Sequence, residues 1–474
     1  RVAGSDVSDY ELWHVEVEYT AGVWTDITAD VDSMTAPVYA TNGTTAEVAG
    51  DPGSLTLVLH NVGFKYTPAN ALSAFALSTG MGIRFFDLIG GNRVYTFTGF
   101  IEFPEVASVN VSMNQDQTIQ VSAVDQLSLW ERSQTFVSTL GAHIMGSTRN
   151  GALRGYWPMK DETLPVAPAV GVVAGEVIDP NRQGVANSQA PAVNVQSGGT
   201  PPGDDGAESV QIVYGFSGST NTNGPYFDMR YPLSVTVDDR IPLAAGQVAT
   251  LVVWVNMTST TNVTLDLTGL YLDTLPSGGG WLYSLFRSAD AVGSHWHGSY
   301  YNGSFWTVDS TNGSSNATER WYALGIRWGH TPNVIELWVD DARYTGTFTE
   351  AVTSAKVAAV SPSIYGSIAH VQLHVGAPAD FDFTDFTAQR AVGLTGLERQ
   401  TTGDRIDTLA RYAGKTDALL TQVDPGQSIM ATARLAGLTV AQAMYEARDT
   451  EQGDLYIDGT GLTTFADRRT LLNI

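Results

Sequence analysis

Trp321-Tyr-Ala-Leu-Gly-Ile-Arg-Trp-Gly-His-Thr-Pro-Asn-Val-Ile-Glu-Leu-Trp-Val-Asp-Asp-Ala-Arg-Tyr-Thr-Gly346 reads as two strands around a turn. Tyr322, Leu324, Ile326 and Trp328 alternate along the first run, and Ile335, Leu337 and Val339 along the second. Gly329, Pro332 and Asn333 interrupt the pattern between them. Setting Ile326 opposite Leu337 pairs Leu324 with Val339 and Trp328 with Ile335, all on one face. The other face then pairs Arg327 with Glu336 and Gly325 with Trp338. A charge pair, and an aromatic ring covering a strand glycine, both favour this register. One face is therefore expected in a core and the other to be half-polar, as in one leaf of a β-sandwich.

Working outward, the same alternation recurs on both sides. Before the hairpin, strands are expected at Val210 to Tyr214, Tyr226 to Met229, Ala249 to Asn256, Val263 to Leu270 and Trp281 to Arg287, and after it at Ile368 to Val375. Strand after strand without a helix between is the pattern of a jelly roll. Residues 164–208 are rich in Ala, Val, Gly and Pro, and read as irregular strands and long loops.

The N-terminal part is also β. Trp13, Val15, Val17 and Tyr19 alternate with His14, Glu16 and Glu18, and Ala21-Gly22 turns the chain back. Leu55, Leu57 and Leu59 mark another strand, Gly82 to Leu88 and Val94 to Glu102 a hairpin, and Thr118 to Val124 one more strand. Asp125 to Arg132 reads as a short helix or a strand exit, and Phe136 to Asn150 as a connector. After Thr387 the period changes to 3.6. Ile406, Leu409, Ala410 and Ala413 share a helix face, and Ser428 to Ala436 is expected as a second short helix. Thr439 and Gln442 form a capping-box pair ahead of the apolar face Val440, Ala443, Met444 and Ala447. Asp454 to Ile457 and Leu462 to Phe465 then make a hairpin around Asp458-Gly459-Thr460-Gly461.

Composition narrows the function classes. The 474 residues are 43% hydrophobic and 16% charged, as expected of a globular chain with real cores. A formal net charge of −24 argues against nucleic-acid binding, which needs clustered cations, and against anionic membranes. The absence of cysteine removes thiolate metal sites, disulfides and thiol nucleophiles. No apolar run reaches the length of a membrane span.

Two resemblances follow from quoted strings. Gly-Ser-Leu-Thr-Leu-Val-Leu-His-Asn (53–61), Tyr-Thr-Pro-Ala-Asn (66–70), Gly-Met-Gly-Ile-Arg-Phe-Phe (80–86), Tyr-Thr-Phe-Thr-Gly-Phe-Ile-Glu (95–102) and Val-Ser-Ala-Val-Asp-Gln-Leu (121–127) come in an order that resembles the N-terminal domain of minor tail or baseplate hub proteins of long-tailed actinobacteriophages. The ending Gly-Asp-Leu-Tyr-Ile-Asp-Gly-Thr-Gly-Leu-Thr-Thr-Phe-Ala-Asp-Arg-Arg (453–469) resembles their second domain. In that family the chain continues into further strands, which leaves open whether this one is a fragment or ends early. Tyr-Trp-Pro-Met (156–159), the opening hairpin and Ile-Ala-His-Val-Gln-Leu (368–373) resemble the laminin G-like, concanavalin A-like family.

The expected organisation is a hub-like antiparallel β-domain with connector at 1–150, a concanavalin A-like sandwich at 151–395, and a hub-like α+β segment at 396–474. The resemblance implies a virion protein of the tail tip. Its expected partners are distal tail and tube proteins and copies of itself, most simply as a trimer, and its sandwich would project toward a host-surface glycan. The alternatives are a secreted carbohydrate-binding protein or glycanase with accessory β-domains, and a bacterial surface adhesin.

Candidate chemistry is sparse, and no enzyme is expected. Glucanases of the concanavalin A-like type carry catalytic carboxylates two positions apart on one strand. No such triplet occurs, since Glu336 is explained by Arg327 and Asp340-Asp341 belongs to a turn. His295 and His297 share a strand face but lack a clear third metal ligand. Asp380, Asp382 and Asp385 read either as calcium ligands, which the resemblance allows, or as an acidic cap before a helical turn. No other cofactor is expected. Trp281, Trp296, Tyr300, Tyr301 and Trp306 crowd one stretch among Gly, Ser, Asn and His. Flat aromatic faces with polar neighbours suit a pyranose, and Trp296, Tyr300 and Trp306 are the candidate carbohydrate-binding residues, against the alternative of sandwich core.

Overall fold

A computed structural model of the chain describes residues 12–38, 53–68, 71, 73–105, 118–146, 152–158, 176–178, 193–198, 200–205, 209–214, 226–230, 241–257, 265–273, 280–290, 293–301, 305–309, 320–329, 334–347, 355–362, 366–414 and 421–472. The chain divides into two compact units. Unit 1 holds residues 1–135, 399–431 and 438–474, and unit 2 holds 136–398 and 432–437.

Unit 1 begins with seven antiparallel strands, β1 (Leu12–Thr20), β2 (Val23–Asp26), β3 (Val31–Val38), β4 (Ser54–His60), β5 (Gly82–Ile89), β6 (Asn92–Glu105) and β7 (Thr118–Val124). Their order across the sheet is β2-β1-β5-β6-β7-β4-β3. Val15 and Val17 of β1 share one buried cluster with Leu55, Leu57 and Leu59 of β4, so the sheet curls around a single core. The strand β3 is not announced by the sequence, because Asp32, Ser33 and Thr35 break its alternation. The short helix α1 (Gln126–Glu131) follows β7, with the Asp125 side chain accepting from the Ser128 amide.

Unit 2 takes α2 (Thr139–Gly146) and then sixteen strands: β8 (Leu153–Trp157), β9 (Glu176–Ile178), β10 (Val193–Gly198), β11 (Ser209–Tyr214), β12 (Tyr226–Arg230), β13 (Ile241–Leu243), β14 (Val248–Met257), β15 (Leu265–Asp273), β16 (Gly280–Asp290), β17 (Gly293–Tyr301), β18 (Phe305–Asp309), β19 (Trp321–Gly329), β20 (Val334–Val339), β21 (Ala342–Thr347), β22 (Ala355–Pro362) and β23 (Gly366–Gly376). They form two eight-stranded antiparallel sheets. One runs β10-β11-β23-β14-β19-β20-β21 with β8 beside β23; the other runs β18-β17-β16-β15-β22-β12-β9 with β13 beside β22. The two sheets pack face to face, and Trp296 of β17 meets Tyr322 of β19 at 5.4 Å between ring centroids. The chain is thus mainly β, and unit 2 is a β-sandwich. Most of the loop-rich stretch expected at 164–208 lies outside the described residues.

The opening hairpin has the expected register. Leu324 pairs with Val339, Gly325 with Trp338, Ile326 with Leu337, Arg327 with Glu336 and Trp328 with Ile335. Its second face departs from expectation, because every residue of β19 is buried. The cover is the segment that follows β23, which includes the helix α3 (Phe383–Thr395). Phe381, Phe383 and Phe386 all pack on the Trp338 ring. The half-polar face therefore lies between a sheet and a helix rather than in water. The connector at Phe136 also clusters with the sandwich and not with the first sheet. A Cβ on Gly393 of α3 would stand 2.4 Å from the Trp254 ring of β14 and 3.1 Å from the Leu140 side chain of α2, so the glycine lets α3 close on both.

The rest of unit 1 is α4 (Thr402–Tyr412), β24 (Thr421–Val423), α5 (Val440–Glu451), β25 (Asp454–Ile457), β26 (Thr463–Ala466) and α6 (Arg468–Leu472). Thr439 and Gln442 make the expected capping box on α5. The hairpin β25–β26 is present and gains β24 as a parallel neighbour. Its tip closes on the first sheet, where the Thr98 hydroxyl donates to the Gly459 carbonyl at 2.8 Å. The helix expected at Ser428 to Ala436 does not form. Met430 exchanges backbone hydrogen bonds with Arg399 and Gln400, and this pairing wins over local helix propensity.

Candidate functional site

The aromatic stretch lies on β16, β17 and β18. Tyr300 pairs with Tyr283 on one side and with Trp306 on the other. Those side chains lie outside the described residues, as do those of His295 and His297. Trp296 is 2% exposed. Its ring is taken up by packing on Tyr322, so it has no free face to offer a sugar, and for this residue the core alternative holds.

A second constellation is absent from the sequence reading. Tyr156 of β8, His370 of β23, Asp204 and Ser138 form one polar network in unit 2. The Tyr156 hydroxyl lies 2.8 Å from Nδ1 of His370, and Nε2 of His370 lies 2.8 Å from Oδ2 of Asp204. The other Asp204 oxygen accepts from the Leu140 amide at 3.0 Å, in the first turn of α2. His370 sits at φ 50°, a left-handed backbone unusual for its residue type. Burial alone would raise the Asp204 pKa, but the His370 contact and the hydrogen bonds from Leu140 and Ser138 bring it below the ordinary value. Burial, then the Asp204 charge, push the Tyr156 hydroxyl far above its ordinary range.

Serine, histidine and aspartate are the residue types of a hydrolase triad, but the order is wrong for one. Nucleophilic catalysis needs the hydroxyl beside the imidazole and the carboxylate behind it. Here the carboxylate lies between Ser138 and His370, and the imidazole spends its remaining nitrogen on Tyr156. Ser138, Tyr156 and His370 are also 0% exposed. The network ties α2, β8 and β23 together, and its role is structural. Its members are spread from Ser138 to His370, so no local motif could reveal it.

The carboxylates offered for calcium are already engaged. Asp382 caps α3 and forms a capping box with Asp385. Asp380 accepts from the Ala377 amide at 2.7 Å. Among the described residues, no group of three or more His, Asp or Glu is placed to hold a metal ion.

Two further charged clusters serve packing. Arg327 is 5% exposed and donates to Thr250 Oγ1 at 3.1 Å and to the carbonyl of Phe381. Glu336 accepts from Trp338 Nε1 at 2.9 Å and from Arg343 at 2.5 Å. In unit 1, Glu16 holds Arg84, whose guanidinium lies 4.1 Å from the centre of the Trp24 ring.

No family model matches the sequence. No curated protein matches it either. Among solved structures, domain 4 of AbnA, a GH43 extracellular arabinanase from Geobacillus stearothermophilus in complex with arabinotriose, is similar over 50% of this chain and 97% of that one, with 11% identity and a TM-score of 0.31. The Caenorhabditis elegans galectin LEC-6 is similar over 31% of this chain and 95% of that one, with 16% identity and a TM-score of 0.19. The binding domain of botulinum neurotoxin serotype D covers 54% of this chain and 55% of its own length, with 10% identity and a TM-score of 0.31. Likenesses this distant assign no ligand, and the sandwich is read from its own strand pairing.

Proposed function

We propose that this chain is a structural component of a phage tail tip, of the minor tail or baseplate hub kind, and that its sandwich binds a glycan on the host surface. The observation that carries this reading is the chain's organisation. Segments from both ends of the sequence build one compact unit, and the sandwich is an insertion in it. Both end segments carry the strings that resemble tail hubs, and neither needs the sandwich to explain it. The partners implied are distal tail and tube proteins, further copies of this chain, and a surface polysaccharide.

The test is an image of the assembled particle with this chain labelled. Density at the tail end supports the proposal, and a chain that never joins tail proteins sinks it. Glycan binding is tested separately, on an array of cell-wall polysaccharides.

A secreted carbohydrate-binding protein or glycanase is the second reading, because the aromatics of 281–306 other than the buried Trp296 suit a sugar in either setting. Polysaccharide hydrolysis abolished by one carboxylate substitution would establish the enzyme instead.

A further inference from the structure

Residues 432–437 present an anomaly of chain path. The residues before and after them, 399–431 and 438–474, belong to unit 1, yet these six cluster with the sandwich unit. They are held as a bound peptide is held. The Ala433 amide donates to the Gly396 carbonyl at 2.7 Å, and the Gly437 amide to the Phe136 carbonyl at 2.9 Å. Between these, the Leu435 amide reaches Thr139 Oγ1 at 3.4 Å and the Ala436 amide donates to Asp205 Oδ2 at 3.0 Å. The Thr139 hydroxyl lies 3.2 Å from the Ala433 carbonyl.

Side chains add a pattern to these main-chain bonds. Ala433 and Leu435 are both 2% exposed, while Arg434 between them is exposed. Gly396, at φ 58°, leaves room where a Cβ would lie 2.5 Å from Thr432 Cγ2. The receiving surface is itself fixed. The second oxygen of Asp205 accepts from both the amide and the hydroxyl of Thr139, at 2.8 and 2.9 Å. The Gly203 amide donates to the Gly393 carbonyl at 2.8 Å. The start of α2, the end of α3 and the 200–205 segment thus converge on one short stretch of chain.

We propose that this edge of the sandwich unit is a peptide-recognition site whose resident ligand is the chain's own segment Thr432–Gly437. It reads an extended peptide by its backbone, and by apolar residues at two alternate positions, Ala433 and Leu435. Such capture draws affinity from main-chain bonds and selectivity from alternate side chains. An added peptide of the same sequence occupies the site when the resident segment is weakened.

The test uses the full chain and amide hydrogen exchange. In Asp205→Asn the exchange of Ala436 and Thr139 rises about tenfold, the expected effect of weakening a charge-assisted bond, while amides of β14 and β19 stay protected. In Leu435→Ser, the synthetic hexapeptide Thr-Ala-Arg-Leu-Ala-Gly at millimolar concentration gives transferred nuclear Overhauser effects, and the same peptide with Asp for Leu does not. No rise at Ala436 in Asp205→Asn overturns the proposal, as does an equal rise across β14 and β19. Absence of transferred effects from the peptide with Leu435→Ser also overturns it. The outcome is independent of the tail-tip reading, since no other tail protein takes part.

Discussion

Trp338 lies across Gly325 on the neighbouring strand, so that a Cβ at Gly325 would stand 2.8 Å from the indole ring. The ring is itself enclosed by Phe381 and Phe386, and has nowhere to retreat. Gly325→Ala is therefore expected to destabilise the sandwich by about 1–3 kcal/mol, the range for overpacking a tight core. Urea unfolding checks this. An unchanged midpoint would mean that the ring moves freely.

Two arginines touch the same carboxylate in different surroundings. Arg327 is buried against Glu336, whereas Arg343 is 47% exposed at its side chain. Arg327→Ala removes a buried guanidinium that donates to Thr250 Oγ1 and to the carbonyls of Pro378 and Phe381, and leaves buried Glu336 with Trp338 and Arg343 alone, so it should cost about 3–5 kcal/mol. Arg343→Ala, screened by water, should cost at most about 1 kcal/mol. Equal losses would contradict the burial difference.

His374 supplies a pH dependence. Its ring stacks on Phe381 at 3.7 Å, and burial, followed by the nearby Arg327 charge, lowers its pKa to about 3. An unfolded histidine takes up a proton near pH 6.5. The folded state refuses that proton, so stability is lost progressively as pH falls from about 6.5 toward the folded value. His374→Gln should flatten the stability curve across that window, measured by urea titration from pH 7 to 4. A wild-type curve already flat there would remove the argument.

Unit 1 is probed through α5. The Thr439 side chain accepts from the Gln442 amide, and the Gln442 side chain accepts from the Thr439 amide. Thr439→Ala removes one half of this box and should cost about 1 kcal/mol. Amides of the first turn of α5 should lose exchange protection while those of β14 keep theirs.

The aromatic stretch separates packing from binding. Trp296→Ala opens a cavity and should lower stability by about 3–5 kcal/mol. Trp306→Ala is expected to weaken retention on a cell-wall polysaccharide column while leaving the melting temperature nearly unchanged. If Trp306→Ala instead melts early with retention intact, Trp306 is core as well.

The hairpin was legible because its information is local and doubly written. Alternation gives the strands, and the Arg327–Glu336 and Gly325–Trp338 pairs give the register. Helix α5 was legible for the same reason, from a capping pair and an apolar face. The buried second face of β19 was not, since Arg327 reads as a surface residue until the cover from Phe381 to Phe386 is known. The network of Ser138, Tyr156, Asp204 and His370 is assembled only by tertiary contact. Ser428 to Ala436 misleads because long-range pairing with Arg399 and Gln400, and the docking of Ala433 to Gly437, outweigh a weak local preference.

The docked hexapeptide bears on how such a protein diversifies. A recombination event that swapped residues 136–398 for another sandwich would import a new receiving edge but keep the old Thr432–Gly437 segment. The incoming sandwich must then offer side-chain acceptors where Thr139 and Asp205 stand, and accept the buried Ala433 and Leu435, while the carbonyls of Phe136 and Gly396 are supplied by any residue. Six residues far downstream of the exchanged cassette thus act as its compatibility key.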